Sequence, residues 1–214
     1  AIYEKDGNYA LGSFSSGWCR FLDEASRKLC ETDSNDTALN SRKWHCHESC
    51  WRDASLKAIE NGTPVDIECK GGIRLYALPI NANNEIIGAL NFGYGNPPSD
   101  YNKLLQIADD YKVPVEQLVK LASEYETRPS YIIDLAKKRL MASANLIGEI
   151  VNRKISEKQI RELNEGLESL VSEKTKELKE RIEELERFYE ATINREYRIK
   201  ELTEEIDLLK KSRG

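Results

Sequence analysis

Hydrophobic residues in the first part of the chain recur at helical spacing in two segments. At residues 17–30 they lie three and four positions apart, which predicts a short amphipathic helix. A second helix is predicted at residues 47–61, because Gly62 supplies a C-terminal stop and Pro64 blocks continuation. The stretch between the two helices, residues 31–43, is polar.

Three runs rich in Ile, Val, Leu and Tyr follow, at residues 65–69, 73–80 and 85–93. They are separated by short connections of Gly, Lys, Asn and Ala, which favour antiparallel hairpins. Pro97 and Pro98 close this region, because two adjacent prolines cannot donate to a strand ladder. The pattern predicts an α+β fold in which an antiparallel sheet is flanked by helices.

Helical patterns dominate the remainder of the chain. Two helices are predicted at residues 100–111 and 114–125, the second starting with a proline where a missing N–H costs nothing. From Ser130 onward, Gly148 and Gly166 are the only isolated helix breakers before the end. A nearly continuous helix of about 80 residues is therefore predicted.

Composition changes at the start of this long helix. All six prolines and all five cysteines precede residue 130, whereas residues 151–214 contain neither. We predict a head domain at residues 1–128, a connecting helix at 129–158 and a coiled coil at 159–214. A chain that begins at Ala1 and ends in such a helix is expected to be a piece of a longer protein.

The last segment fits a heptad repeat without insertion. Its a positions are Asn164, Val171, Leu178, Leu185, Thr192, Ile199 and Ile206. Its d positions are Ile160, Leu167, Lys174, Arg181, Phe188, Arg195, Leu202 and Leu209. Val and Ile at a with Leu at d favours two parallel strands, so a parallel homodimer is predicted.

Several residues of the seam leave the interpretation of this coil open. Asn164 would fix the register at some cost in stability. Lys174, Arg181 and Arg195 interrupt the apolar seam, which fits both a weakly held signalling coil and a merely imperfect one. Ile182 and Tyr189 would fit a shifted register locally. A single solvated helix without a partner is the alternative to the dimer.

Charge and cysteine content narrow the classes of protein. The net charge of −5 is mild, and Lys and Arg alternate with Glu along the tail, so a nucleic-acid partner is not expected. The apolar runs fall short of the roughly 18 residues that a membrane span needs, so no membrane association is expected. Five cysteines are an odd number without the spacing of a secreted scaffold, which indicates a reducing, cytoplasmic setting.

Both histidines and two cysteines lie within residues 44–51. On a helix, Cys46 and Cys50 would be one turn apart on one face, and Cys30 and Cys69 could converge with them. Four thiolates suit zinc or an iron-sulfur centre. The spacing matches no stereotyped metal signature, so a redox-active thiol pair and plain core cysteines remain alternatives.

Other residues of the head are assigned provisional roles. Cys19, beside Trp18, is interpreted as a core residue. Four aromatic residues are candidates to line a ligand pocket, although each also fits an ordinary core position: Trp44, Tyr76, Phe92 and Tyr94.

Several short motifs in the head occur in a distinctive order. They are Cys19-Arg20-Phe21, Cys30-Glu31-Thr32-Asp33, Cys50, Asn61-Gly62-Thr63-Pro64, Cys69-Lys70-Gly71-Gly72, Ala77-Leu78-Pro79-Ile80, Ile87-Gly88-Ala89 and Phe92-Gly93-Tyr94-Gly95. Over residues 10–100 this series resembles the PocR sensory domain. The resemblance implies a PAS-like fold, found in bacterial and archaeal transcription regulators and sensor kinases, that senses small organic molecules such as diols.

The chain departs from that family in two places. The family often has Cys-His-x-Gly where this chain has Cys69-Lys70-Gly71-Gly72, which puts a role of that histidine in doubt. The additional Cys46 indicates a subgroup whose ligand differs, with a metal centre as one candidate in place of a diol.

The tail around residues 186–211 is similar to connectors that precede PAS or histidine-kinase modules. The function predicted is therefore an input domain of a two-component system that acts on a downstream kinase or PAS module through the coiled coil. The tail has no phosphoacceptor histidine and no nucleotide-binding loop, so the chain itself is not expected to be an enzyme. A cysteine-dependent enzyme using Cys46 or Cys50, and a structural dimerisation scaffold, are the alternatives.

Overall fold

The computed structural model describes residues 1–12 and 16–212, without the side chains of residues 9, 10 and 206–212. It forms two compact units, residues 1–154 and residues 155–214. Each unit is described by itself.

A five-stranded antiparallel sheet forms the centre of the first unit. Its strands are β1 (Ile2–Glu4), β2 (Tyr9–Leu11), β3 (Val65–Glu68), β4 (Arg74–Ala82) and β5 (Glu85–Tyr94). Their order across the sheet is β2-β1-β5-β4-β3. The three predicted strands are confirmed, whereas β1 and β2 were not predicted.

The longest hairpin joins β4 to β5 through a two-residue turn. Asn83 and Asn84 both have positive φ, 48° and 63°, as a type I′ turn requires. Asparagine tolerates this left-handed conformation better than most residues, which explains the choice of residues. The predicted antiparallel pairing of these strands is confirmed.

The helices between β2 and β3 cover one face of the sheet. They are α1 (Gly17–Lys28), α2 (Asn35–Asn40), α3 (His45–Glu48), a π-helical segment (Ser49–Leu56) and α4 (Lys57–Asn61). The last three follow one another without interruption and correspond to the predicted second helix. It ends at Gly62, which has the left-handed φ of 66° expected of a C-terminal glycine. The short helix α2 lies in the polar stretch and was not predicted.

Helices after the sheet are α5 (Tyr101–Tyr111), α6 (Val115–Ser123) and α7 (Ser130–Ser212). The predictions of two short helices and one long helix are confirmed. Within the residues that the structure describes, none of the helices is both long and apolar enough to cross a membrane.

Side chains of β4 point alternately to the two faces of the sheet, and each face packs against helices. Leu75 and Ala77 pack on Ala54 and Ala58 of the π-helical segment and α4. The opposite face carries Leu78 and Ile80, which cluster with Leu90 of β5 and Ala144 of α7. The period of two along a strand is what sends neighbouring side chains to different layers. The predicted PAS-like sheet flanked by helices is confirmed.

Two features of α7 complete the fold. Within the first unit, Gly148 lies so close to the β4–β5 hairpin that a Cβ atom there would overlap the carbonyl oxygen of Asn81. The second unit is helical to Ser212. Its parallel dimeric coiled coil stays a prediction, and the side chains of Ile206 and Leu209 lie outside those that the structure describes.

Candidate ligand cavity

A cavity of about 180 Å³ lies between the sheet and the helices of the first unit. Strand β5 contributes Asn91, Phe92 and Gly93 to its wall, and β4 contributes Leu75. The other lining residues used below are Cys19, Cys46, Ser49, Cys50, Cys69 and Tyr111. They come from α1, α3, the π-helical segment, the turn after β3 and α5, so parts of the chain that are far apart in sequence enclose the space together with β4 and β5.

Four of the five cysteines line this cavity, namely Cys19, Cys46, Cys50 and Cys69. The structure places Cys30 elsewhere. Its buried sulfur lies 3.6 Å from the carbonyl oxygen of Ser26 and 3.3 Å from the hydroxyl of Ser41. Cys19, interpreted from the sequence as a core residue, is at the cavity wall. The predicted set Cys30, Cys46, Cys50 and Cys69 is therefore not brought together.

All five cysteines lie among the described residues, and each has a free thiol. Within residues 1–12 and 16–212, no group of three or more His, Cys, Asp and Glu side chains has an arrangement that could hold a metal ion. The zinc or iron-sulfur centre stays an untested expectation.

Burial keeps the thiols of the cavity protonated. Desolvation raises the pKa of Cys50 to about 12, and it also raises the pKa of Cys46, Cys69 and Cys19. The neighbouring thiols raise these values further, because a second thiolate nearby would be repelled. A thiol in this state is a weak nucleophile and behaves as a small, soft, nearly apolar group.

Asn91 is the most deeply buried polar side chain of the cavity wall on the sheet, with 3% of its surface exposed. Its amide nitrogen donates to the carbonyl oxygen of Cys50 at 2.9 Å and to the hydroxyl of Ser55 at 2.8 Å. Both partners belong to the π-helical segment. π-turns occur often at functional sites because they displace backbone carbonyls from the regular ladder. Asn91 thus ties the sheet to the irregular part of the helix beside the cavity.

Two hydroxyl groups add polar character. Ser49 accepts a hydrogen bond from the backbone N–H of Lys70 at 3.0 Å, which positions the turn after β3. The phenol of Tyr111 lies 3.9 Å from the sulfur of Cys46. Burial raises the pKa of Tyr111 well above its ordinary range, so the phenol stays neutral and can both donate and accept.

The two histidines are not among the described residues that line the cavity. His47 is 8% exposed, with its ring 5.9 Å from that of Tyr3 and 5.7 Å from that of Trp44. Desolvation, helped by the nearby charge of Arg52, lowers its pKa to about 4. The ring of His45 packs 5.1 Å from that of Tyr111. Neither histidine is placed as a base at the cavity, which weakens the cysteine-enzyme alternative.

The predicted aromatic pocket is divided by the sheet. Phe92 borders the cavity as part of β5, but its ring lies 6.1 Å from that of Tyr76 and 5.7 Å from that of Tyr94. Trp44 donates from its indole nitrogen to Asp23 at 2.7 Å. Tyr76 and Tyr94 contact a lysine of α7 on the opposite face. The structure therefore gathers the rings of Tyr76, Phe92 and Tyr94 on the face of the sheet opposite the cavity, although Phe92 borders the cavity through its place in β5.

Sequence reasoning missed Ser49, Asn91 and Tyr111. Asn91 carried a usable signal, because it is a polar residue inside the apolar run of β5. Ser49 and Tyr111 carried none, since each sits in an ordinary amphipathic helical pattern.

The sheet order, the covering helices and the enclosed cavity define a PAS-like domain. The chain belongs to the PocR family: the family model described as the sensory domain found in PocR matches residues 1–157. This match extends beyond the stretch of residues 10–100 on which the resemblance rests. Membership in a sensory-domain family points to a sensory role and away from catalysis. Searches of curated proteins and of solved structures found no match for the chain.

Proposed function

We propose that the head is a receptor for a small, uncharged organic molecule, which it holds in the cavity beside β5. The supporting observation is the cavity itself, which is enclosed by the sheet on one side and by helices on the other. The described side chains that line it are uncharged at neutral pH, and the α-ammonium group of Ala1, which also borders the cavity, already donates to the carbonyl oxygen of Asn91 at 2.8 Å. A neutral ligand is favoured, because these side chains offer no counter-charge to an ion that loses its hydration.

The volume limits the size of this ligand. A cavity of about 150 Å³ in a protein core accommodates benzene, so 180 Å³ has room for roughly six to eight non-hydrogen atoms. Ser49, Asn91 and Tyr111 supply neutral hydrogen-bonding groups, while Leu75 and the thiols supply soft apolar surface. A short diol, the class implied by the family, matches both requirements.

Thermal shift measurements with a matched series of small molecules test this proposal. Short diols should raise the melting temperature, because a ligand that binds only the folded state stabilises it. Carboxylic acids of the same size should not. A series in which no uncharged compound of this size raises the melting temperature at any soluble concentration would contradict the proposal.

Two cysteine variants supply a control for the site of binding. Cys69→Ala alters the cavity wall, whereas Cys30→Ala removes the same atoms from a buried position away from the cavity. The affinity for a bound diol should change severalfold in the first variant and remain unchanged in the second. Equal effects of the two substitutions would place the binding site elsewhere.

We further propose that α7 carries the signal out of the head as part of a parallel homodimer. In the single chain, the predicted seam residues Leu167, Leu178 and Leu185 are 59%, 62% and 66% exposed. A stripe of leucines on a long solvated helix needs a partner, and a second copy supplies the same stripe in register. The output module, a kinase or a further PAS module, would follow in the full-length protein. The free cysteines fit a cytoplasmic setting.

Light scattering tests the dimer. The wild-type chain should have twice the 24.5 kDa mass of one chain. Leu185→Lys should favour the monomer, because it places two charges opposite each other in the seam. Glu183→Lys, at an outward position two residues away, is the matched control and should leave the dimer intact. A wild-type mass that stays monomeric at all concentrations would refute the dimer.

A further inference from the structure

Most polar atoms of Asn91 are already bound to the surrounding fold. Its backbone N–H donates to the carbonyl oxygen of Ala1 at 3.0 Å, and its backbone carbonyl oxygen accepts from the α-ammonium group of Ala1 at 2.8 Å. Its amide nitrogen donates to the carbonyl oxygen of Cys50 and to the hydroxyl of Ser55. Among the described residues, none donates a hydrogen bond to its amide oxygen. Asn91 therefore has one polar atom left for a ligand in the cavity that it lines.

The two partners of the amide nitrogen lie five residues apart in the π-helical segment. A π-helical turn pairs each carbonyl with the N–H five residues later, so the turn itself brings residues 50 and 55 together. Ser55 is completely buried, and Asn91 is almost so. Both hydrogens of the Asn91 amide are thus used by one turn of the fold, which sets the orientation of the amide before any ligand binds.

Reversing this orientation is unfavourable. Rotation of the Asn91 amide by half a turn would place its oxygen against the carbonyl oxygen of Cys50. Neither oxygen carries a hydrogen, so the bond between the two residues would be lost and two buried acceptors would face each other. The amide oxygen of Asn91 is consequently a fixed acceptor.

The hydroxyl groups of the cavity wall differ from this amide in being adaptable. Ser49 accepts from the backbone N–H of Lys70 and can turn its own hydrogen toward a ligand. The phenol of Tyr111 can also donate or accept. The oxygen of Asn91 can only accept. A ligand group placed against it must donate a hydrogen bond, because a buried acceptor without a partner is costly.

We propose that Asn91 is a specificity-determining residue whose amide oxygen, held in place by the π-helical turn, accepts a hydrogen bond from a hydroxyl group of the ligand. The site then selects alcohols over ketones and ethers of the same shape. The inference rests on the receptor function proposed above and names the atom that recognises the ligand. Sites that hydrogen-bond a ligand hydroxyl reject the analogue without it, because their own polar group is left unpaired.

Cyclopentanol and cyclopentanone are a matched pair of probes, because they share one carbon skeleton and the ketone has no donor. Both fit the size limit of the cavity. Shifts in the melting temperature of the 214-residue chain with probe concentration give the affinity for each. The wild type should bind the alcohol about tenfold more tightly than the ketone, which corresponds to one buried acceptor left without a partner.

Asn91→Leu tests the acceptor directly, because leucine has a similar size and no polar atom. This substitution should abolish the preference for the alcohol. Cys50→Ala is the control, since it alters the same wall and keeps the backbone carbonyl that holds the amide. It should change both affinities and leave their ratio as in the wild type. A residue that only packs would lower both affinities together, so the ratio separates recognition from packing.

A measurement on the wild type covers the case in which Asn91→Leu does not fold. With carbon-13-labelled asparagine, the side-chain carbonyl resonance of Asn91 should move downfield when cyclopentanol is added, because a donated hydrogen bond polarises the C=O group. Cyclopentanone should leave the resonance in place. The exposed side chain of Asn102 supplies a reference that neither probe should affect.

Three outcomes would overturn the role of Asn91 while leaving the head a receptor for neutral molecules. They are equal affinities of the wild type for the two probes, a preference for the alcohol that persists in Asn91→Leu, and an Asn91 carbonyl resonance that cyclopentanol does not move. If the wild type binds neither probe, the result counts against both proposals, because each requires a neutral molecule of this size to bind.

Discussion

Gly148 of α7 offers a sharp test of how the long helix packs on the head. In a solvated helix, replacing glycine by alanine stabilises the protein by about 0.5–1 kcal/mol, because alanine loses less backbone entropy on folding. At Gly148 the added Cβ would overlap the carbonyl oxygen of Asn81 and lie 3.1 Å from its carbonyl carbon. Both are backbone atoms of a hydrogen-bonded hairpin and cannot rotate away.

The balance of these terms predicts a loss of stability. Inserting one methyl group into a closed contact typically costs about 1–3 kcal/mol, which exceeds the gain in helix propensity. We expect Gly148→Ala to destabilise the head by about 1–2 kcal/mol net. For a protein of this length, that corresponds to a fall of roughly 2–8 °C in melting temperature.

Gly166→Ala is the matched control, because no atom outside its own helix backbone lies within 4 Å of the added Cβ. All three tryptophans belong to the first unit, so their fluorescence reports the unfolding of the head. Thermal unfolding followed this way should show a lower midpoint for Gly148→Ala and an unchanged or higher midpoint for Gly166→Ala. A higher midpoint for Gly148→Ala would refute the close approach of helix and hairpin.

Two further predictions concern buried titratable groups. The pKa of His47 is about 4 in the folded head and about 6.5 when unfolded, so the unfolded chain takes up a proton as pH falls through this window. The free energy of unfolding, measured by urea titration, should fall as the pH is lowered from 6.5 to 4. His47→Gln should make this pH dependence flatter. An unchanged pH dependence in the variant would contradict the burial of a neutral ring. Because burial raises the pKa of Cys50 to about 12, iodoacetamide should alkylate it at pH 8 about 10³-fold more slowly in the folded protein than in the unfolded chain. Mass spectrometry measures both rates. Equal rates would contradict the closed cavity.

Local patterns predicted most of the secondary structure because the signals are local. The stop at Gly62 needs only a residue that tolerates positive φ, and the hairpin turn at Asn83-Asn84 needs two. Strands β1 and β2 were missed because three residues are too few to show a period of two. Strand β1 joins the sheet by pairing with β5, an interaction that no local window contains, and β2 pairs in turn with β1.

The site was predicted less well than the fold. The cysteines were recognised as a group, and three of the four selected do line the cavity, but Cys19 lies there in place of Cys30. Which cysteines line the cavity depends on how α1 packs against the sheet. Residues on one face of a helix border the cavity, whereas residues on another face are buried in the core. The aromatic candidates Tyr76, Phe92 and Tyr94 lie together on the face of the sheet opposite the cavity, because strand alternation and register decide which face each side chain takes.

The sequence by itself determined the kind of protein this is: a PocR-type sensory head and a long helix with an apolar stripe. These properties follow from spacing, composition and turn chemistry, which act over a few residues. The tertiary structure alone decided which thiols meet at the cavity, that their burial keeps them protonated, and that Lys137 contacts Asp66. Those facts depend on distances between residues far apart in the chain, and only the packing of helices against the two faces of the sheet sets those distances.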